Sequence, residues 1–209
     1  MTTSERSYAG ADATTRRRDR RDRLVLAGLE LIGTHGYDST TVHGIAAAAG
    51  VGDRYFYEHF TDRMDFFKAV YDVVIEQVQR ASVAAYVQAG ADLESQVRAG
   101  LTAFVHTLTD DPRLARIQLV ESVGRGGALE RRRAEVMQAY AGLLETQARE
   151  LLAGRVPSDA ELTMGTRALV GATNQLVMDY ANDDLAVTRD QLIDHLVQLY
   201  LDVTHPRRG

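Results

Sequence analysis

The chain of 209 residues contains no cysteine. That excludes a disulfide framework, a thiolate nucleophile and any sulfur-ligated metal. No uninterrupted apolar run approaches the roughly 18 residues that a membrane-spanning helix requires. The opening stretch, MTTSERSYAGADATTRRRDRRDR, lacks an apolar centre and does not read as a secretion signal. No segment alternates apolar and polar residues as a half-buried strand would. A phosphate-binding loop is also missing, because Gly124-Arg125-Gly126-Gly127 has no strand before it. His35 and His43 lack carboxylates at metal-site spacing, and His59 has no serine or cysteine beside it in a nucleophile motif. The sequence therefore predicts no catalytic residue, no metal and no cofactor, and a cytoplasmic location.

The net charge of −5 is unevenly spread. Residues 1–60 carry eight Arg and eight acidic groups and are neutral, so the whole negative balance lies in residues 61–209. Six of those Arg residues fall between Arg16 and Arg23, diluted by Asp19 and Asp22. Such a run can neutralise phosphates or enter a minor groove, although a solvated basic tail has the same composition. Residues 1–18 are polar, small and charged, and are expected to be a disordered basic arm.

What remains is helical throughout. The most informative stretch is TTVHGIAAAAGVGDRYFYEHF, Thr40 to Phe60. Val42, Ile45, Ala46 and Ala49 recur at helical spacing, and Thr40 or Thr41 can cap that helix. Gly50 supplies the left-handed residue of a sharp turn. A second helix of about two turns follows from Asp53 to His59. It can form only by sharing a core with Leu24, Leu31, Ile45, Phe56 and Phe60. Two helices so joined are a helix-turn-helix, whose second member enters the major groove. A preceding helix is expected from Asp19 to Thr34. Asp62 should cap a following one that carries Met64, Phe67, Val70, Tyr71, Val74 and Val78. Farther on, periodicity predicts helices at Asp92–Leu108, Arg113–Gly124, Leu129–Ala153, Asp159–Tyr180 and Thr188–Val203. The expected architecture is all-α: a helix-turn-helix domain over 19–62, then a ligand-binding and dimerisation bundle over 63–205.

The second short helix presents the chemistry of DNA reading. Arg54 carries a planar fork that can bond two guanine acceptors. Tyr55 can pack against a thymine methyl or reach a phosphate, and Asp53 can accept from cytosine or serve the helix start. Tyr57, His59, Thr41 and Arg63 suit phosphate positioning. With Thr40 and Gly52 these form the candidate DNA-binding set.

Leu24 to Val70, LVLAGLELIGTHGYDSTTVHGIAAAAGVGDRYFYEHFTDRMDFFKAV, resembles the TetR family of bacterial transcription repressors. The shared features are the Thr40-Thr41-Val42 start, Ile45-Ala46, Ala49-Gly50-Val51, the closing Tyr57-Glu58-His59-Phe60 and the basic Arg63. The chain departs from the pattern at Gly52-Asp53-Arg54, where a capping serine is usual, and at Gly44, where a carboxylate is common. The resemblance implies a homodimer on an approximately palindromic double-stranded operator, with the last two long helices of each subunit forming a four-helix interface. Leu169, Ala172, Thr173, Leu176, Tyr180, Leu196 and Tyr200 are the candidates for it. It also implies a small-molecule effector held among the middle helices, of lipophilic or aromatic character. The candidate contacts are Phe67, Tyr71, Phe104, Leu108, Gln118, Glu121, Met137, Tyr140, Asn174 and Met178, although core packing calls for the same apolar types. A dimeric small-molecule sensor without autonomous operator binding is the alternative.

Overall fold

The computed structural model describes residues 3–152 and 158–204. Residues 1–2, the helix end expected at Ala153, the break expected at Gly154 to Pro157 and residue 205 lie outside the described residues. The described chain is all-α and forms two compact units, Met1–Val73 and Val74–Gly209. The division falls beyond the 62/63 junction expected from sequence.

The first unit begins with α1 (Thr3–His35). It includes residues 3–18, over which the sequence suggests a disordered arm. Low hydrophobicity denies that segment a core of its own but does not forbid helix. It has no proline and a single glycine, and Ala and Arg are strong helix formers. Extending a helix already nucleated by packing costs far less than starting one. From Leu24 onward α1 turns Leu24, Val25, Ala27, Leu29 and Ile32 inward, while Leu31 is only half-buried.

Helix α2 (Val42–Ala48) is capped by Thr41, whose hydroxyl accepts from the Gly44 amide at 3.0 Å. Gly50 takes φ +64° after it, and the Val51 amide returns to the Ala46 carbonyl at 3.0 Å to close the turn. Helix α3 (Asp53–Tyr57) is five residues long, and Gly52 at its start offers no side-chain cap. Its anchor is Phe56, fully buried and 5.4 and 5.2 Å from the rings of Phe60 and Phe66. Burying one such ring is worth roughly 1.5–3 kcal/mol. Helix α4 (Arg63–Gln88) starts where the Asp62 carboxylate accepts from the Asp65 amide at 2.8 Å. Phe66, Phe67 and Val70 of α4 complete this core, which is why the unit reaches Val73.

The second unit holds the rest of α4 with α5 (Leu93–Asp110), α6 (Pro112–Ala115), α7 (Gly127–Leu152), α8 (Asp159–Ala181) and α9 (Arg189–Thr204). Asp92 caps α5, Asp111 caps α6 ahead of Pro112, and Ser158 with Glu161 forms a reciprocal capping box on α8. The single helix expected over Arg113–Gly124 is instead α6 running into a π-helical segment, Arg116–Glu121. The wider turn buries Ile117, Gln118, Leu119 and Glu121 together. Helix α7 packs on α8, and α5 and α8 pack on α9. The Arg98–Asp194 ion pair ties α5 to α9. The Tyr200 hydroxyl donates to Gln147 Oε1 at 2.8 Å, joining α9 to α7.

Candidate nucleic-acid interface

The helix-turn-helix exposes Thr41, His43, Gly52, Asp53, Arg54, Tyr57 and Glu58, with Tyr55 half-buried. These side chains share one short helix and the approach to it, so the expected reading residues do come together. Tyr57 is 62% exposed and packs edge-on against Phe56. Its ring position is therefore fixed while its hydroxyl end faces solvent. Arg54 lies 4.6 Å from the Tyr55 ring centre and donates to the Tyr55 hydroxyl at 2.7 Å. A guanidinium stacked in this way starts from a defined position. Asp53 faces His43 of α2, with Nδ1 at 3.2 Å from Oδ1. It joins the two helices of the motif and, in the first turn of α3, also suits the positive end of the helix. His43 was not among the sequence-predicted site residues. No local pattern marks it, because the contact depends on the turn geometry between α2 and α3.

Three further candidates make contacts within the unit or are partly buried in it. Thr40 is buried, and its hydroxyl donates to the Gly36 carbonyl at 2.8 Å, so this side chain supports the turn. Arg63 donates to the Tyr37 carbonyl at 2.6 Å and lies 4.5 Å from the Tyr37 ring centre. It braces the start of α4. His59 is half-buried, and its Nε2 lies buried without a hydrogen-bond partner. Burial first, and then the charges of Arg17, Arg20 and Arg21, hold its imidazole below the usual histidine range, which favours the neutral ring.

Residues 24–70 match the family model of bacterial regulatory proteins, tetR family. No curated protein matches the chain. Among solved structures, it resembles the fatty acid degradation regulator FadR from Bacillus halodurans, with 19% identity, 91% of this chain and 97% of that chain covered, and a TM-score of 0.72. FadR from Bacillus subtilis, solved in complex with stearoyl-CoA, gives 17% identity, 89% and 98% coverage and a TM-score of 0.72. A TetR-like transcriptional regulator from Rhodococcus sp. RHA1 gives 18%, 90% and 97%, with a TM-score of 0.65. At these identities the likeness speaks for the fold. The described residues hold no group of three or more His, Asp or Glu placed for a metal ion.

The remaining expected residues sort by burial and contacts. Phe67 stacks on Tyr37 at 5.0 Å between ring centres, and both Phe67 and Tyr71 fall in the first unit, so Phe67 is part of the core beneath the helix-turn-helix. Glu121 is buried, but Arg125 Nη2 at 2.7 Å and Arg116 Nε at 3.3 Å satisfy its carboxylate. Gln118 is different: it is 6% exposed and its Oε1 has no hydrogen-bond partner. Asn174 Nδ2 approaches Met137 Sδ at 3.0 Å. Burial pushes the Tyr140 hydroxyl up to about 12, against an opposing interaction with Gln79. Phe104 and Met178 are half-buried. A separate cavity of about 530 Å³ is lined by Leu108, Thr109, Tyr180, Thr188, Arg189 and Gln191 among others. Of the expected effector contacts, Leu108 alone lines it.

Of the expected interface residues, Leu169, Leu196 and Tyr200 are buried inside the subunit's own bundle. At these positions α7, α8 and α9 pack on one another within the chain. Ala172, Thr173, Leu176 and Tyr180 are half-buried.

Proposed function

We propose that the protein is a sequence-specific transcription repressor that binds a palindromic operator as a homodimer and is released by a small lipophilic or aromatic ligand. The observation that carries the DNA reading is the short α3, which projects Arg54 and Tyr57 outward from a ring-packed anchor at Phe56. Arg54 is the base reader, through a bidentate contact to guanine, and Tyr57 and Thr41 position phosphates. The dimer reading is supported by a ridge on α8. Met164, Ala168, Ala172, Leu176 and Tyr180 follow one another at four-residue steps and are exposed or half-buried, with Met164 64% exposed. Ridges of this spacing are what two packed helices interdigitate.

Release requires the ligand to favour one arrangement of the dimer over another by about 1–3 kcal/mol. Helix α4 contributes residues to both units and is the element through which a ligand in the second unit acts on the first. The experiment is a salt-dependent mobility shift of the intergenic DNA upstream of the gene, using purified dimer with and without a panel of apolar and aromatic compounds. A shift reversed by one compound class supports the reading. A folded dimer that binds such compounds and shifts no DNA at any salt would favour the sensor alternative.

A further inference from the structure

We propose that Arg17, Arg20 and Arg21 of α1 form a clamp that sets the position of α3, and that they act as positioning residues for operator choice. The proposal rests on the DNA-reading role of α3 argued above. Positions 17, 20, 21 and 24 share one face of a helix, spaced by three, four and seven residues. Leu24 at the end of this face is fully buried and Arg20 is half-buried, while Arg17 and Arg21 are exposed apart from the contacts they make. Each of the three arginines meets a different part of α3 or its exit. Arg17 Nη2 donates to the Glu58 carbonyl at 3.2 Å, supplying a partner at the helix end where carbonyls are left over. Arg20 lies 4.9 Å from the Tyr55 ring centre, and Arg21 lies 5.4 Å from that of Phe60. The Nε of Arg20 is buried, so this part of the side chain is packed against the unit and not held in solvent.

A five-residue helix without a side-chain cap does not hold its own geometry. Phe56 anchors one side of it, and the arginines hold the other. The contacts also form a relay. Arg20 stacks on Tyr55, Tyr55 accepts a hydrogen bond from Arg54 and stacks with it, and Arg54 is the expected base reader. A change at Arg20 therefore reaches the reading side chain two contacts away. Arg18, off this face, pairs loosely with Asp22 at 3.9 Å, both well exposed, and so stands outside the clamp.

The test compares wild type with Arg20→Ala, Arg20→Lys and Arg17→Ala in the full chain. One probe is a duplex enriched by the wild type from a random library; the other is a random-sequence duplex of equal length. Both are titrated across salt concentrations. Arg20→Ala is expected to weaken binding of the enriched duplex by about three- to thirty-fold. Affinity for the random duplex and the salt slope should stay unchanged. Arg20→Lys should behave much like Arg20→Ala, because an ammonium lacks the planar face that stacks. Equal losses on both probes, a salt slope smaller by about 1 and near-normal binding by Arg20→Lys would overturn the clamp in favour of phosphate contact. Amide hydrogen exchange in the DNA-free protein judges the clamp separately from the operator reading. Exchange across Asp53–Phe60 should quicken in Arg17→Ala and Arg20→Ala while the Ile45 amide holds. Unchanged exchange would reject the clamp even if DNA binding is confirmed. Should the wild type enrich no duplex, the operator reading fails and exchange alone decides.

Discussion

Replacing Gly28 by alanine tests the packing that places the first unit's helices. Gly28 lies in α1, and a Cβ built there would stand 2.3 Å from Phe66 Cζ, 2.7 Å from Phe66 Cε1 and 2.8 Å from Val70 Cγ2. Two effects compete. Alanine is favoured over glycine inside a helix by about 1 kcal/mol. Against that, forcing a methyl into a filled core typically costs about 1–3 kcal/mol. The ring cannot swing clear, because Phe66 is 1% exposed and held 5.2 Å from Phe56 and 5.0 Å from Phe60. Val70 is fully buried as well. With three contacts far below van der Waals distance, the upper part of the steric range applies. Gly28→Ala should therefore lose about 1–2 kcal/mol net. Gly142→Ala is the control: that residue is exposed in α7, and a Cβ there would meet nothing within 4 Å, so it should gain up to about 1 kcal/mol. Urea unfolding followed at fixed protein concentration gives both values. If Gly28→Ala is as stabilising as Gly142→Ala, α1 and α4 do not approach as described, and the support they give to α3 fails with that approach.

Other expected outcomes concern the site and the interface. Arg54→Ala should cost about 1–3 kcal/mol on the preferred duplex and flatten discrimination at one base position, measured against single-base variants; equal loss on random DNA would argue against base reading. Thr41→Ala removes the cap on Gly44 N and should lower stability by about 1 kcal/mol by urea unfolding, whereas no change would mean the cap contributes nothing. The depressed His59 pKa means the unfolded chain binds the extra proton first, so stability should fall as pH drops below about 6.5 toward the folded value. His59→Gln should shrink that loss between about pH 7.5 and about pH 5.5, and an identical pH profile would refute it. Ala172→Arg on the α8 ridge should dissociate the dimer without unfolding the subunit, read by sedimentation together with circular dichroism; an intact dimer would move the interface elsewhere.

Much of this protein is readable from its sequence because its signals are local. Asp92, Asp111 and Ser158 mark helix starts by their own side-chain oxygens, and Gly50 marks the turn by its φ. The helix-turn-helix follows from the spacing of Ile45, Ala46 and Phe56 with those marks. What escapes is the direction a residue faces. Leu196 and Tyr200 have the same apolar period whether they meet another subunit or α5 and α7 of their own. Thr40 and Thr41 are equivalent as candidate caps until one hydroxyl turns back to Gly36. The basic run reads as an arm because charge suggests solvent; its spacing at 17, 20 and 21 shows a face but not the aromatic rings that the face covers. The π-helical turn at Arg116–Glu121 has no local mark, since Ile117 to Leu119 suit an ordinary helix equally well.

The measurement that bears most directly on operator reading by α3 is selection from a random duplex library at physiological salt, using protein shown to be folded and dimeric. The expected result is enrichment of an approximately palindromic sequence, with half-sites about one helical turn apart or a multiple of it, and a preferred guanine lost in Arg54→Ala. A folded dimer that enriches no sequence would contradict it.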